Sequence, residues 1–352
     1  MAFRDIVNQS HAVLLLRTAV RLNKVGHAYL LVGPTGVGRR TLALAFAQLV
    51  NCERPDGDAC GECGPCRKIA SGNHPDVRIL DIAHGAFLET PGKEYKGKEI
   101  PIDQIRALRQ DAAFPPYEGK RKVYIIADAE RMSASASNSL LKVLEEPTAR
   151  VTFMLSAESS VALLPTIVSR TQLVRCTFLR AEDIERALVE RHGISPERAR
   201  VLSVLADGRL GRALEWARSE RRLEARERLL DLLPTLEGGD LLARLDAADT
   251  LLKEAQQAQH GEGDLLPELL DLAEYFYRDV LVWKQLAQPA LLTNRDRQDQ
   301  IERLASGFSD AALGARIAAI EEAKEALKGN GHPRLVLERL FLSFGHIPIP
   351  IR

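Results

Sequence analysis

The chain has 352 residues, enough for two or three domains and a substantial core. Its 48 basic and 48 acidic residues cancel, which argues against a freestanding basic nucleic-acid binder but leaves room for a local basic face. Aromatics at 5% speak against a base-stacking strand binder. No uncharged apolar run approaches the roughly 18 residues of a membrane span, and the start Met1-Ala2-Phe3-Arg4-Asp5 has no signal-peptide plan. The sequence therefore predicts a cytoplasmic protein with no membrane partner.

In chain order, Val13 to Arg21 carries apolar residues at helical spacing. The apolar strand Ala28-Tyr29-Leu30-Leu31-Val32 runs into Gly33-Pro34-Thr35-Gly36-Val37-Gly38, and the Ala/Leu-rich stretch from Thr41 to Val50 predicts a helix. Four cysteines follow, then a short strand near Val77–Asp81. Gly85–Gly97 reads as an exposed loop. Ile102 to Ala112 is helical, and Lys122 to Asp128 is a buried-type strand ending in an acid. Ser135 to Glu146 is a helix stopped by Pro147. Val151 to Leu155 and Gln172–Cys176 are further strands. Strands alternating with helices through residue 178 predict an α/β domain with a largely parallel sheet.

Beyond Leu179 nearly everything is Leu, Ala, Glu and Arg at helical spacing. The pattern breaks at Gly193, Gly208–Gly211, Gly238-Gly239, Gly261–Gly263 and Gly329–Gly331. These breaks suggest a small helical domain over residues 179–221 and a helical bundle over 222–352, serving packing or oligomerisation.

A working phosphate loop reads G-x-x-x-x-G-K-[ST]: glycines turn backbone N–H groups toward phosphate, the lysine reaches the outer phosphates, and the hydroxyl holds magnesium. Here the glycines stand at Gly33, Gly36 and Gly38, but Arg39 takes the lysine position, Arg40 takes the hydroxyl position, and Thr41 comes one residue late. Arginine keeps the charge in a planar fork of different size and reach. The acid pair expected at the end of the next core strand is represented by Ala127 and Asp128. Three readings follow: hydrolysis, nucleotide binding without turnover, or a glycine turn with no ligand. The missing magnesium ligands disfavour the first, so neither ATP nor Mg2+ is expected at this chain's own site.

Cys52-x7-Cys60-x2-Cys63-x2-Cys66 places four thiols within 15 residues, with Gly61 and Gly64 permitting tight turns and Cys176 standing apart. In a reducing cytosol clustered cysteines hold metal more readily than disulfides. Four soft ligands suit structural Zn2+ in a closed tetrahedron. The C-x2-C-x2-C run also has ferredoxin spacing, although no C-x3-C-P follows Cys66. An iron–sulfur cluster and unligated thiols are therefore the alternatives.

Taken together, several strings resemble one family in its own order. These are His27-Ala28-Tyr29-Leu30-Leu31, the cysteine module, His74-Pro75-Asp76, Ile102-Asp103-Gln104-Ile105-Arg106, Asn138 to Pro147 (Asn-Ser-Leu-Leu-Lys-Val-Leu-Glu-Glu-Pro), and Ser169-Arg170-Thr171. The chain resembles the delta-prime subunits of the bacterial DNA polymerase III clamp loader, in the AAA+ superfamily. The likeness is dense over residues 1–178, weaker through Gly208 to Leu214, and returns at His332 to Glu338. It implies an α/β P-loop AAA+ core with a parallel sheet (1–178), a small helical lid domain (179–221) and an all-α collar domain (222–352).

The resemblance also implies a place in a hetero-pentamer with gamma/tau and delta subunits that loads the sliding clamp onto primed DNA. The chain would not be an enzyme on its own. Arg170 matches the arginine that such subunits lend to a neighbour's ATP site, where fingers are worth about 10³–10⁵ in rate in other phosphoryl-transfer systems. The family's usual cysteine after it is Thr171 here. Ala157 stands where active relatives place a hydroxyl, and Gly211, with Arg212 beside it, stands where they place a lid arginine. Both departures agree with an inactive own site. Taken alone, Arg170 could be a surface or helix-end cation, Lys142, Glu145 and Glu146 a solvated helix face, and His27 and His74 core or turn residues. Two other functions compete: an autonomous gamma/tau-type P-loop ATPase, and a zinc-dependent nucleic-acid-binding module.

Overall fold

The computed structural model describes residues 2–82, 99–238, 240–257 and 265–345. The loop expected over Gly85–Gly97, Gly239 and the break at Gly261–Gly263 lie outside the described residues. The chain divides into two compact units, residues 1–193 with 206–212, and residues 194–205 with 213–352.

In the first unit the helices are α1 (Ser10–Arg21), α2 (Arg39–Asn51), α3 (Gly64–Ala70), α4 (Ile102–Ala112), α5 (Ala134–Glu145), α6 (Pro165–Val168) and α7 (Ala181–His192). They surround five strands, β1 (Ala28–Val32), β2 (Val77–Leu80), β3 (Lys122–Ile126), β4 (Val151–Ala157) and β5 (Gln172–Arg175). The strands pair in parallel in the order β2-β3-β4-β1-β5. Parallel strands need helical crossovers, which cover both faces and explain why the inner strands read as unbroken apolar runs.

Side-chain alternation sorts those runs into two layers. Tyr29 and Leu31 of β1 face the layer holding Leu16, Phe46 and Cys66. Ala28 and Leu30 face the layer holding Ile105, Leu140 and Ile167. Every residue of β4 is buried, and Phe153 stacks on Tyr124 at 5.4 Å between ring centroids. Edge strand β5 buries only Val174.

Local chemistry sets the helix ends. Ser133 caps α5 by accepting the Ala136 N–H at 3.2 Å, and α5 stops two residues before Pro147. The glycine at 193, at φ +66°, closes α7.

The second unit is all-α: α8 (Pro196–Leu205), α9 (Leu210–Arg218), α10 (Glu220–Leu232), α11 (Thr235–Gly238), α12 (Leu241–Gln257), α13 (Leu266–Leu286), α14 (Gln298–Gly307), α15 (Asp310–Lys328) and α16 (Pro333–Ser343), with the first three residues of α9 counted in the first unit. Helix α13 is its centre and packs on α10, α14 and α15. Fully buried Asp279 accepts the Thr293 and Asn294 N–H groups at 3.0 and 2.7 Å, the partners a buried carboxylate requires. The expected break at Gly208–Gly211 falls between α8 and α9, with Gly211 already the second residue of α9. Among the described residues no helix is long and apolar enough to cross a membrane. An α/β core with a parallel sheet and an all-α C-terminal region are thus present.

Candidate functional site

The glycine loop leaves the end of β1 and enters α2. A Cβ at Gly33 would lie 2.2 Å from the Cys176 carbonyl oxygen, so only glycine allows β1 to pass the end of β5 this closely. The loop then needs two left-handed residues, and Gly36 (φ +85°) and Gly38 (φ +102°) supply them. The loop leads into a 13-residue helix, whose first-turn N–H groups have no intrahelical acceptor, the chemistry an anion nest uses.

Of the two cations that follow, only Arg39 is turned inward. Arg39 is 6% exposed, and its Nη2 donates to Asp128 Oδ1 at 3.1 Å and to Thr35 Oγ1 at 3.3 Å. Its Nη1 is buried with no hydrogen-bond partner among the described residues. Arg40 pairs with Asp81 at 3.0 Å. Thr35 in turn donates to Glu158.

Asp128 is itself in the left-handed region at φ +49°, and its N–H donates to Ser156 Oγ at 3.2 Å. Ala127 beside it is buried and has no carboxylate to offer. Ala157 is fully buried, its carbonyl accepting from the Gly33 N–H at 3.1 Å. The Gly211 N–H donates to the Gly36 carbonyl at 2.9 Å, and a Cβ at 211 would sit 3.2 Å from Gly36 Cα. A side chain at position 211 would press on the loop. Thus Arg39, Asp128, Thr35 and Gly211 converge on one loop, while Thr41 is carried into α2, partly buried.

Arg170 lies on another edge of the same unit, just past α6. Its side chain is 36% exposed. Nη1 donates to the Thr166 carbonyl at 3.1 Å and to Ser169 Oγ at 3.3 Å, and Nη2 meets Glu145 Oε1, at the end of α5, at 2.9 Å. Glu145 lies on what the sequence presents as a solvated helix face. It is 49% exposed, yet it is the acid that touches Arg170. No spacing pattern joins residues 25 apart, so only the packing of α6 on α5 could show it.

The cysteines at 52, 60, 63 and 66 come together with their Sγ atoms all within 4.8 Å of one another. Cys52 ends α2 and Cys66 lies on α3, so two packed helices carry the outer ligands. A tetrahedral site with Zn–S of about 2.3 Å has sulfur–sulfur edges of about 3.8 Å, and Cys60 and Cys66 already stand at 4.0 Å. The donors are four soft sulfurs without an oxygen ligand, which fits a thiophilic metal rather than magnesium or calcium.

Backbone donors prepare the group. The Cys63 and Glu62 N–H groups point at Cys60 Sγ at 3.3 and 3.4 Å and pull its pKa down to about 6. Burial pushes the Cys52 and Cys66 thiols up, so a cation binding there must displace protons. The lone Cys176 is raised to about 11 by burial, which makes it unreactive.

The two histidines lie outside the sulfur group. His74 is buried and its Nδ1 accepts the Asp76 N–H at 3.1 Å, while Asp76 accepts the N–H groups of Tyr117, Glu118 and Gly119 at 2.7–2.9 Å. Burial alone would raise Asp76, but those donors carry its pKa below the usual carboxylate range.

The family model described as DNA polymerase III, delta subunit, matches residues 8–179, and the one described as DNA polymerase III, delta subunit, C terminal, matches residues 221–346. The DNA polymerase III subunit delta' of Bacillus subtilis (strain 168) is 30% identical over 334 residues, 95% of this chain and 95% of that protein. The chain belongs to the DNA polymerase III delta' family. The delta' subunit of Pseudomonas aeruginosa is 40% identical over 151 residues, 43% of each protein. The tau subunit of Bacillus subtilis is 28% identical over 363 residues, 96% of this chain but 60% of that longer protein.

Proposed function

We propose that the chain is the stator, delta'-type subunit of a bacterial clamp loader: it hydrolyses no ATP itself and lends Arg170 to the ATP site of a neighbouring gamma/tau subunit. The observation that carries this reading is Arg39. The cation that would have to meet the outer phosphates is buried and bound to Asp128, the carboxylate left in the acidic motif, so each group occupies the other. With Ala127 and Arg40 at the magnesium positions, no carboxylate or hydroxyl stands ready for the metal. Arg170 has the opposite character, since half-exposed charge can be exchanged for a phosphate.

The remaining parts of the reading follow the family. The chain is a cytoplasmic member of a hetero-pentamer with gamma/tau and delta subunits, acting on the sliding clamp and primed DNA through the assembled complex. Within it we assign an AAA+ core at 1–178, a lid at 179–221 and a collar at 222–352.

We assign Zn2+ to Cys52, Cys60, Cys63 and Cys66. Bound there, it would cross-link the end of α2 to α3 with no open position for chemistry. Metal analysis of the purified chain is expected to give about one zinc and no iron. Cys60→Ser should lower that content, and acidification should release the metal because its ligands must be thiolates. A visible absorption band with stoichiometric iron would replace the assignment by a cluster.

A second reading, a gamma/tau-type ATPase, is favoured by the likeness to tau along 96% of this chain. Phosphate release by the purified chain with ATP and Mg2+ separates the two. No turnover is expected alone, and slowed turnover is expected when Arg170→Ala replaces the wild-type chain in the reconstituted complex. Brisk hydrolysis by the isolated chain would overturn the stator reading.

A further inference from the structure

We propose that Glu145 is the positioning residue for Arg170: it holds the guanidinium in the orientation from which it meets a neighbour's phosphate. This rests on the reading of Arg170 as a finger and deepens it.

The geometry is specific. Both bonds made by Arg170 Nη1, to the Thr166 carbonyl and Ser169 Oγ, stay within the segment that carries Arg170. They fix the fork relative to α6 only. The Glu145 contact to Nη2, at 2.9 Å, comes from α5, and α5 packs on α6. Anchors from two elements set the direction and the plane of a planar, five-donor group, whereas anchors from one segment leave it free to swing. Glu145 is the last residue of α5, so the negative end of that helix adds to the attraction.

The pair is also poised to let go. Its members are 36% and 49% exposed, and an ion pair so open to solvent is weak enough to exchange for another partner. Nε and the N–H groups not engaged by these three acceptors stay available for an oxyanion. A finger that arrives already aimed loses less freedom at the moment charge develops. The bland alternative is that Arg170 merely caps α5, in which case removing Glu145 would act on folding and would do so whether or not Arg170 is present.

The test uses the reconstituted complex with full-length chains carrying Glu145→Ala, Glu145→Gln, Arg170→Ala or both alanines, and reads ATP hydrolysis stimulated by clamp and primed DNA. Glu145→Ala is expected to lower the Arg170-dependent part of kcat about fivefold, the scale of an exposed pair, with KM for ATP unchanged. Glu145→Gln, whose amide oxygen still accepts from Nη2, is expected to recover most of the loss. In the Arg170→Ala background, Glu145→Ala should change nothing further.

If Glu145→Ala fails to assemble, Glu145→Asp, too short to reach, carries the same expectation. A wild-type rate for Glu145→Ala, or an equal loss in both backgrounds, overturns the assignment while leaving the finger intact. A wild-type rate for Arg170→Ala overturns the finger reading itself.

Discussion

Two arginine–carboxylate pairs in one α/β unit do opposite things. Arg39 and Asp128 meet at 3.1 Å with the arginine 6% exposed; Arg170 and Glu145 meet at 2.9 Å with the arginine 36% exposed. The distances are nearly the same, so separation does not distinguish them. Burial does. Taking Asp128 away would leave a buried guanidinium without its carboxylate, and that cost holds Arg39 in place although Asp128 itself is 43% exposed. Solvent takes over the contacts of an exposed pair at little cost, which leaves Arg170 free to exchange partners. On the proposed reading one pair closes the glycine loop and the other presents a cation.

The largest way to break this comparison is Arg170→Ala. At the neighbouring ATP site it is proposed to serve, turnover should fall on the order of 10³-fold, leaving the complex with the hydrolysis of its other sites, while the variant's thermal unfolding stays close to wild type. Next comes Arg39→Ala, with effects of opposite kind: a loss of about 1–2 kcal/mol in stability, measured as a lower urea midpoint at constant slope, and no change in stimulated hydrolysis by the complex. A rate loss as large as that of Arg170→Ala would erase the distinction between the loop and the edge. The smallest effect is expected for Arg40→Ala. Arg40 is 52% exposed where it meets Asp81, so urea denaturation should place the variant within about 0.5 kcal/mol of wild type.

Much of this was legible in the chain itself. Strands β1, β3 and β4 stand where their apolar runs place them, because a parallel sheet covered on both faces leaves no polar alternation to confuse with loop. Helix α2 starts two residues before the expected Thr41, since Gly38 turns the chain and Arg39 then continues as helix. The cysteines were expected to meet, and their sulfurs do, because short spacings on the end of one helix and the start of another limit where they can go. The Gly208–Gly211 break stands between α8 and α9 as its glycines suggest, and only the fold shows that Gly211 also makes room for Gly36.

The sequence by itself determined the chemical inventory: a glycine loop without its lysine and hydroxyl, an acidic motif without its first acid, four clustered thiols, and an arginine in a Ser-Arg-Thr string. Tertiary structure alone decided what those groups do to one another. Arg39 and Asp128 are 89 positions apart, and Arg170 and Glu145 belong to different helical segments, so no local pattern could pair them. Their separation in the chain carries no information about distance, whereas strand order and helix packing bring them to hydrogen-bonding range. The same packing also sets how much water each pair keeps, and so which arginine is locked and which is free to act.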